Sequence, residues 1–166
     1  KLKPVNGDKS IYQITGNDEA CLLSTGFGIV VLNLVKYELG NSWVIGDNGV
    51  FVRVNAAIEF EGNYYAATDS GLKMAALSSG NLADYRNWKM VSGTSGLPAG
   101  GVNQVFICGS SLYVQAQNIL YRLENGHFQP VYTDSAKWLY AGGNADNLLV
   151  CEIVNGIGQV QVLGMD

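Results

Sequence analysis

The stretch NYYAATDSGLKMAAL (63–77) sets an apolar run, a Thr-Asp-Ser-Gly step and a second apolar run in succession. Short runs rich in Val, Ile, Tyr and Leu, bounded by Gly, Asn, Asp and Ser, read as β-strands joined by a tight turn. The same rhythm stands earlier in EACLLSTGFGIVVLNL (19–34) and later in SLYVQAQNILYRL (111–123). A rhythm that returns three times is a repeat, and its period is the first quantity to measure.

Three markers give that period. Gly28, Gly71 and Asn118, at the turn exits, are 43 and 47 residues apart. Trp43, Trp88 and Phe128, the aromatics that follow, are 45 and 40 apart. The pairs Ile11/Ile14, Val54/Ala57 and Val102/Val105 open the units. A period of 40–45 residues built of short strands belongs to β-propeller blades, each a four-stranded antiparallel sheet. The expected fold is therefore all-β. Its blades are expected at residues 10–45, 52–91, 102–132 and 137–163, about four blades' worth, with an outer strand at 2–5 and a fourth blade that lacks its own outer strand. The whole chain, 1–166, reads as one propeller domain or a fragment of a larger propeller. Asn48-Gly49, Asn125-Gly126 and Asn155-Gly156 are tight-turn dipeptides, since both residue types tolerate positive φ. The one helical signal is NLADYRNW (81–88), opened by Asn81 as a candidate cap.

Composition narrows the function. Of 166 residues, 48% are hydrophobic and 14% charged, which is a packed chain and not a disordered one. The net charge of −4 and the lack of a basic run exclude the footprint of a nucleic-acid binder and argue against an anionic-membrane surface. No apolar stretch reaches the ~18 residues of a spanning helix. Residues 1–4 do not open a signal peptide, and the chain fits a mature or trimmed piece of a secreted protein. Cys21, Cys108 and Cys151 each lie in an apolar run without metal-ligand spacing, so all three read as buried free thiols.

The residues Tyr65, Thr68, Gly71, Leu72, Trp88, Gly96, Leu97 and Pro98 resemble the two-component-regulator propeller repeat. That repeat has an aromatic-x-Ala/Gly-Thr step, a Gly-Leu turn exit, an outer aromatic, and Gly-Leu-Ser/Pro before the next inner strand. Blade three departs from it with Asn118 in place of Gly. Over about two-thirds of the chain, LLSTGFGIVVLNL, VIGDNG, AATDSGLKMA and LADYRNWKMVSGTSGLPAG resemble the amino-terminal propeller of the PorZ family. The resemblance implies a surface component of the type IX secretion system of certain Gram-negative bacteria. In that family the propeller belongs to a larger protein with a second propeller. It acts beside a sortase at the outer membrane and handles anionic lipopolysaccharide attached to cargo. A non-enzymatic binding or scaffolding module outside the cytoplasm is the expectation. A polysaccharide-sensing ectodomain of a hybrid two-component kinase is the alternative that the general repeat implies.

The residues themselves offer little for catalysis. His127 is the only histidine, and no G-x-S-x-G is present. Asp47, Asp69 and Asp134 fit turn caps better than a catalytic carboxylate pair. The TDSG step lacks the aromatic of a sialidase-type Asp box. GNDEA, GDNG and NADN lack the alternating ligands and terminal Glu of a calcium loop. No catalytic residue, metal or cofactor is expected. Trp43, Trp88 and Phe128 recur at the blade period, as packing residues do. Contacts to a surface glycan, lipopolysaccharide or another secretion component are expected on the rim that carries the turns between second and third strands. That places Phe27, Asp69 and Asn118 there, with Tyr12, Asn55 and Asn103 near the tops of successive inner strands. Open blade ends would expose apolar faces. Closure by residues 2–5, further blades, or a second copy could cover them, and a homodimer through the terminal blades is the expectation.

Overall fold

The computed structural model describes residues 7–164, which form fifteen strands and no α-helix. Blade 1 consists of β1 (Ile11–Gly16), β2 (Ala20–Thr25), β3 (Gly28–Asn33) and β4 (Glu38–Trp43). Blade 2 consists of β5 (Val54–Phe60), β6 (Asn63–Thr68), β7 (Gly71–Ala76) and β8 (Lys89–Met90). Blade 3 consists of β9 (Gln104–Cys108), β10 (Ser111–Ala116), β11 (Ile119–Glu124) and β12 (His127–Thr133). Blade 4 has β13 (Lys137–Gly143), β14 (Asn147–Val154) and β15 (Ile157–Gly164). Every sheet is an antiparallel meander in chain order, so the architecture is the expected propeller. The expected outer strand at 2–5 lies outside the described residues.

The Thr-x-x-Gly step is the local device that closes two of the central hairpins. Thr68 is fully buried, and its Oγ1 donates to Gly71 O (2.7 Å) while accepting from the amides of Ser70 and Gly71. Thr25 repeats the arrangement, donating to Gly28 O at 2.9 Å. Gly28 and Gly71 have φ of 142° and 144°. A Cβ at 28 would strike the carbonyl oxygen of Trp43, and one at 71 would meet Met90 Sδ and Ser92. Glycine is there because the fourth strand presses on the turn exit. In blade 3 the residue opposite Ala116 is Ile119, not Asn118, so Asn118 belongs to the turn itself. Here β12 remains paired with β11 as far as Thr133, which stands opposite the exit residue Ile119.

Four blades are joined by three apolar cores. Leu22, Ile29 and Trp43 of blade 1 meet Ala57, Ala66 and Trp88 of blade 2. Tyr65 and Leu72 of blade 2 meet Val105, Val114 and Phe128 of blade 3. Phe106, Tyr113 and Leu120 of blade 3 meet Trp138, Ala141 and Val150 of blade 4. The recurring aromatics are packing residues, since Trp43, Trp88 and Phe128 are all buried and Trp43 lies 6.1 Å from Trp88 between ring centroids. Lys73, 1% exposed, is tolerated in the first core because its Nζ donates to Ile45 O at 2.8 Å and to Asp47 Oδ1 at 2.5 Å. This clip ties the connector between blades 1 and 2 to β7.

Several local expectations are corrected. The helical turn of 81–88 is a single 3₁₀ turn, Tyr85–Asn87, capped by Asp84, whose side chain accepts from Arg86 N. Asn48-Gly49 belongs to a 3₁₀ turn between blades, not a hairpin, although both residues have positive φ. The outer strand of blade 1 runs from Glu38 to Trp43. Cys21 and Cys108 are buried, but Cys151 is half-exposed because it points away from blade 3.

Two measurements follow. Thr68→Val should lower stability by about 1–3 kcal/mol in denaturant unfolding, because it strands the turn amides and carbonyl that the hydroxyl satisfies. In native protein at low concentration, a thiol reagent should reach Cys151 first, with Cys21 and Cys108 reacting only on unfolding.

Candidate functional site

Three inner strands carry a β-bulge at the same place. The register slips between Ile11 and Gln13, between Val54 and Ala56, and between Trp138 and Tyr140. The extra residues are Tyr12, Asn55 and Leu139. In blade 3 the ladder begins at Gln104, opposite Gln115, and Asn103 stands at the corresponding position with its amide on Gln115 O. A bulge frees a residue from the in-out alternation of its strand and re-aims the side chain. Here each of the four blades turns one such residue toward the axis.

These four residues, with Arg53, Asp69 and Gln104, line a polar cavity of about 330 Å³ at the axial mouth. Asn55 organises it. Its Nδ2 donates to Asp69 Oδ1 (3.1 Å) and to Val102 O (2.9 Å), which bridges blades 2 and 3. With both amide hydrogens committed to acceptors, the orientation of the side chain is fixed. Its Oδ1 is buried without a hydrogen-bond partner, as is Gln104 Oε1. Buried acceptors without donors are costly, and two of the residues that line the mouth carry one each. Arg53 supplies a cation, held with Cζ 3.9 Å over the centre of the Tyr12 ring. The Tyr12 hydroxyl donates to Asp8, which also accepts from Ser10 N. These bonds, that of Tyr12 foremost, bring the Asp8 carboxyl down to about 2, and the same bond raises the Tyr12 phenol above its ordinary value.

Of the six residues expected on the rim, the structure gathers Tyr12, Asn55, Asp69 and Asn103 in this cavity. Phe27 is not there. It is half-buried and stands edge-on to Phe51 with ring centroids 6.0 Å apart. Asn118 is not there either. Its Nδ2 donates to Ala136 O and its carbonyl accepts from Thr133 Oγ1, which fastens the turn to the connector between blades 3 and 4. Sequence reasoning missed Arg53, Gln104 and Leu139, all within two residues of a marked inner-strand position. A larger cavity of about 660 Å³ lies at the other end of the inner strands, lined among others by Leu22, Val31, Ile58, Glu59, Tyr64 and Ile107. His127 opens β12 opposite Glu124, away from the mouth. Among the described residues no three His, Cys, Asp or Glu side chains converge as a metal site would require.

Fold and mouth together define a propeller module, with stacked blades as scaffold and one residue of each inner strand lining the mouth. The chain belongs to the PorZ amino-terminal β-propeller family of the type IX secretion system, whose model matches residues 1–89. Among solved structures it is similar to PorZ of Porphyromonas gingivalis, an essential bacterial surface component of that system (TM-score 0.70, 16% identity, 94% of this chain and 21% of that one). It is also similar to the extracellular domain of the putative hybrid two-component system BT4673 of B. thetaiotaomicron (TM-score 0.59, 16% identity, 93% and 22%). A third likeness is the Cps50 (Swd1) β-propeller of Myceliophteria thermophila (TM-score 0.55, 15% identity, 94% and 54%). These likenesses carry the fold. The chain spans about a fifth of the length of PorZ and of the BT4673 domain. No curated protein matches the sequence. Among the described residues no helix is long and apolar enough to cross a membrane.

The Asp8–Tyr12 bond has a defined pH range. A depressed carboxyl stabilises the structure above its ordinary range and loses that contribution as pH falls through about 2. By carboxyl NMR, Asp8 should titrate near 2 in the native protein. In Tyr12→Phe it should move back toward the ordinary 3.8. An unchanged titration would mean that Tyr12 does not hold it.

Proposed function

We propose that this chain is a non-enzymatic binding module of a bacterial surface protein, an accessory of type IX secretion whose axial mouth contacts anionic lipopolysaccharide. Membership of the PorZ family supports the setting. The observation that carries the contact site is the pair of buried, donor-less acceptors, Asn55 Oδ1 and Gln104 Oε1, beside the Arg53 cation. A saccharide offers hydroxyl donors to the two amide oxygens, and an anionic substituent offers charge to Arg53. A sortase partner would use the same rim through its own polar groups. The module is displayed outside the cytoplasm in this reading, in keeping with the surface and extracellular neighbours. The second reading, a polysaccharide-sensing ectodomain, is favoured by the BT4673 likeness and shares the same mouth.

Calorimetric titration of the chain with anionic lipopolysaccharide and with a neutral polysaccharide separates these readings. The anionic ligand should bind more tightly, and Arg53→Ala should remove that preference. Arg53→Ala and Asn103→Ala should each weaken binding by roughly tenfold, about 1.4 kcal/mol, with the melting temperature retained. Phe27→Ala should leave affinity unchanged while lowering stability by about 1 kcal/mol through the lost aromatic contact. Equal binding of both saccharides would favour the sensing reading. Failure of both to bind, or binding indifferent to Arg53 and Asn103, would overturn the mouth as the site.

A further inference from the structure

The axial mouth holds two opposite charges that do not meet. Arg53 and Asp69 both line it, and among the described residues neither forms an ion pair. Each is held by an uncharged neighbour instead. Asp69 Oδ1 accepts from Asn55 Nδ2 at 3.1 Å, and the Asp69 amide donates to Arg53 O, which fixes the turn. Arg53 lies with Cζ 3.9 Å over the centre of the Tyr12 ring. The Tyr12 hydroxyl donates to Asp8, and a phenol bonded to a carboxylate has a more electron-rich ring, hence a better seat for a cation. Asp8 is outside the lining, and its two oxygens are taken by Tyr12 and by the amide of Ser10. Its carboxyl, held low first by the Tyr12 bond, also lies within the field of Arg53.

Both charges keep bonding capacity for a ligand. The guanidinium N–H groups of Arg53 donate to no described residue, and Asp69 Oδ2 accepts from none. A ligand with an anionic group alone would gain at Arg53 and be repelled by the Asp69 carboxylate. An ammonium group alone would face the reverse. A ligand with both groups a short way apart satisfies each charge and opposes neither. Asn103 and Gln104 stand in the same lining and offer an amide each, so a polar body suits the space between the two groups.

We propose that the mouth takes a zwitterionic group, an oxyanion on Arg53 beside an ammonium on Asp69, borne by a saccharide. The assignment rests on the mouth being a saccharide site, and it gives the Asp69 carboxylate a role there. Negative charge on the saccharide then supplies only part of the affinity, because the anionic group needs an amine close by. An amino sugar phosphate and a phosphoethanolamine substituent both have this chemistry.

The test is NMR titration of the intact chain in a mildly acidic, low-salt buffer that keeps a sugar amine protonated. The probes are glucosamine-6-phosphate, its N-acetyl counterpart, which keeps the phosphate and loses the ammonium, and glucosamine, which keeps only the ammonium. Glucosamine-6-phosphate should bind most tightly and shift the side-chain amide signals of Asn55, Asn103 and Gln104. Acetylation should weaken it roughly three- to fivefold, the worth of one exposed ion pair. Asp69→Asn keeps an acceptor for Asn55 and removes the charge, so the free and acetylated phosphates should then bind alike. Arg53→Gln should remove the advantage of glucosamine-6-phosphate over glucosamine. Phosphoethanolamine tells the sources apart: binding as tight as the sugar phosphate supports the zwitterion on a substituent, and weaker binding supports it on the sugar itself. Equal binding of the free and acetylated phosphates by the native chain, or a difference that survives Asp69→Asn, overturns the proposal. Binding of no probe while anionic lipopolysaccharide still binds overturns the proposal alone. If lipopolysaccharide fails too, the mouth falls as a saccharide site.

Discussion

A propeller blade cannot bury itself. A four-stranded sheet has two faces, and in a meander of short strands neither face meets anything supplied by its own blade. All apolar burial therefore comes from the neighbour, and the fit between adjacent faces governs the choice of residue across this chain. The first interface shows how. Blade 2 offers Ala57, Ala66 and Ala75, and against these small residues blade 1 sets Leu22, Ile29 and Trp43. Large opposite small lets the sheets approach without voids, which is what close packing demands. The second interface reverses the sizes, with Val105, Leu112 and Val114 of blade 3 receiving Ala56, Ala67 and Leu72 of blade 2.

The same constraint confines the mouth. Because both faces of a central blade are committed to packing, a side chain free for contact must leave the in-out alternation. The bulges at Tyr12, Asn55 and Leu139, with Asn103 in the matching place, accomplish this once per inner strand. The ladder resumes its register within one residue on either side, so the cores are undisturbed. Such positions can change without altering the fold, as the run of Tyr, Asn, Asn and Leu illustrates. The scaffold thus says little about the ligand, and the ligand must be argued from the mouth.

The period and the blades were legible in the sequence because they are packing features. Ile14, Ala57 and Val105, chosen as openers of the units, are structurally equivalent, and their spacings of 43 and 48 residues are the true steps. The turn marker erred by one residue in blade 3. Asn118 looked like a stand-in for glycine, but Ala116 replaces the clasping threonine there and the exit residue is Ile119. Tyr12, Asn55 and Asn103, placed by sequence at the strand tops, do line one cavity there. Arg53 and Gln104 line it too but were not marked, since a charge or an amide beside a strand start carries no periodic signal. Phe27 stands apart from the cavity for a physical reason: Phe51, from the distant connector, packs against this turn aromatic and half-buries it.

Cavity size and chemical capacity point to different ends of the molecule. The larger cavity lies at the other end of the inner strands, beside Leu22, Val31, Ile58, Tyr64 and Ile107. Its lining is more apolar than polar, with Thr15, Asn17 and Glu59 as its polar side chains beside the ring of Tyr64. The mouth is half that volume, yet Asn55, locked by two acceptors, carries a buried unmatched oxygen there. An unmatched buried acceptor is tolerated only where something completes it, water or ligand, and replacing a bridging water with a ligand donor keeps the bond. The cost already accepted at Asn55 and Gln104 in folding is what makes the smaller cavity the stronger candidate for recognition.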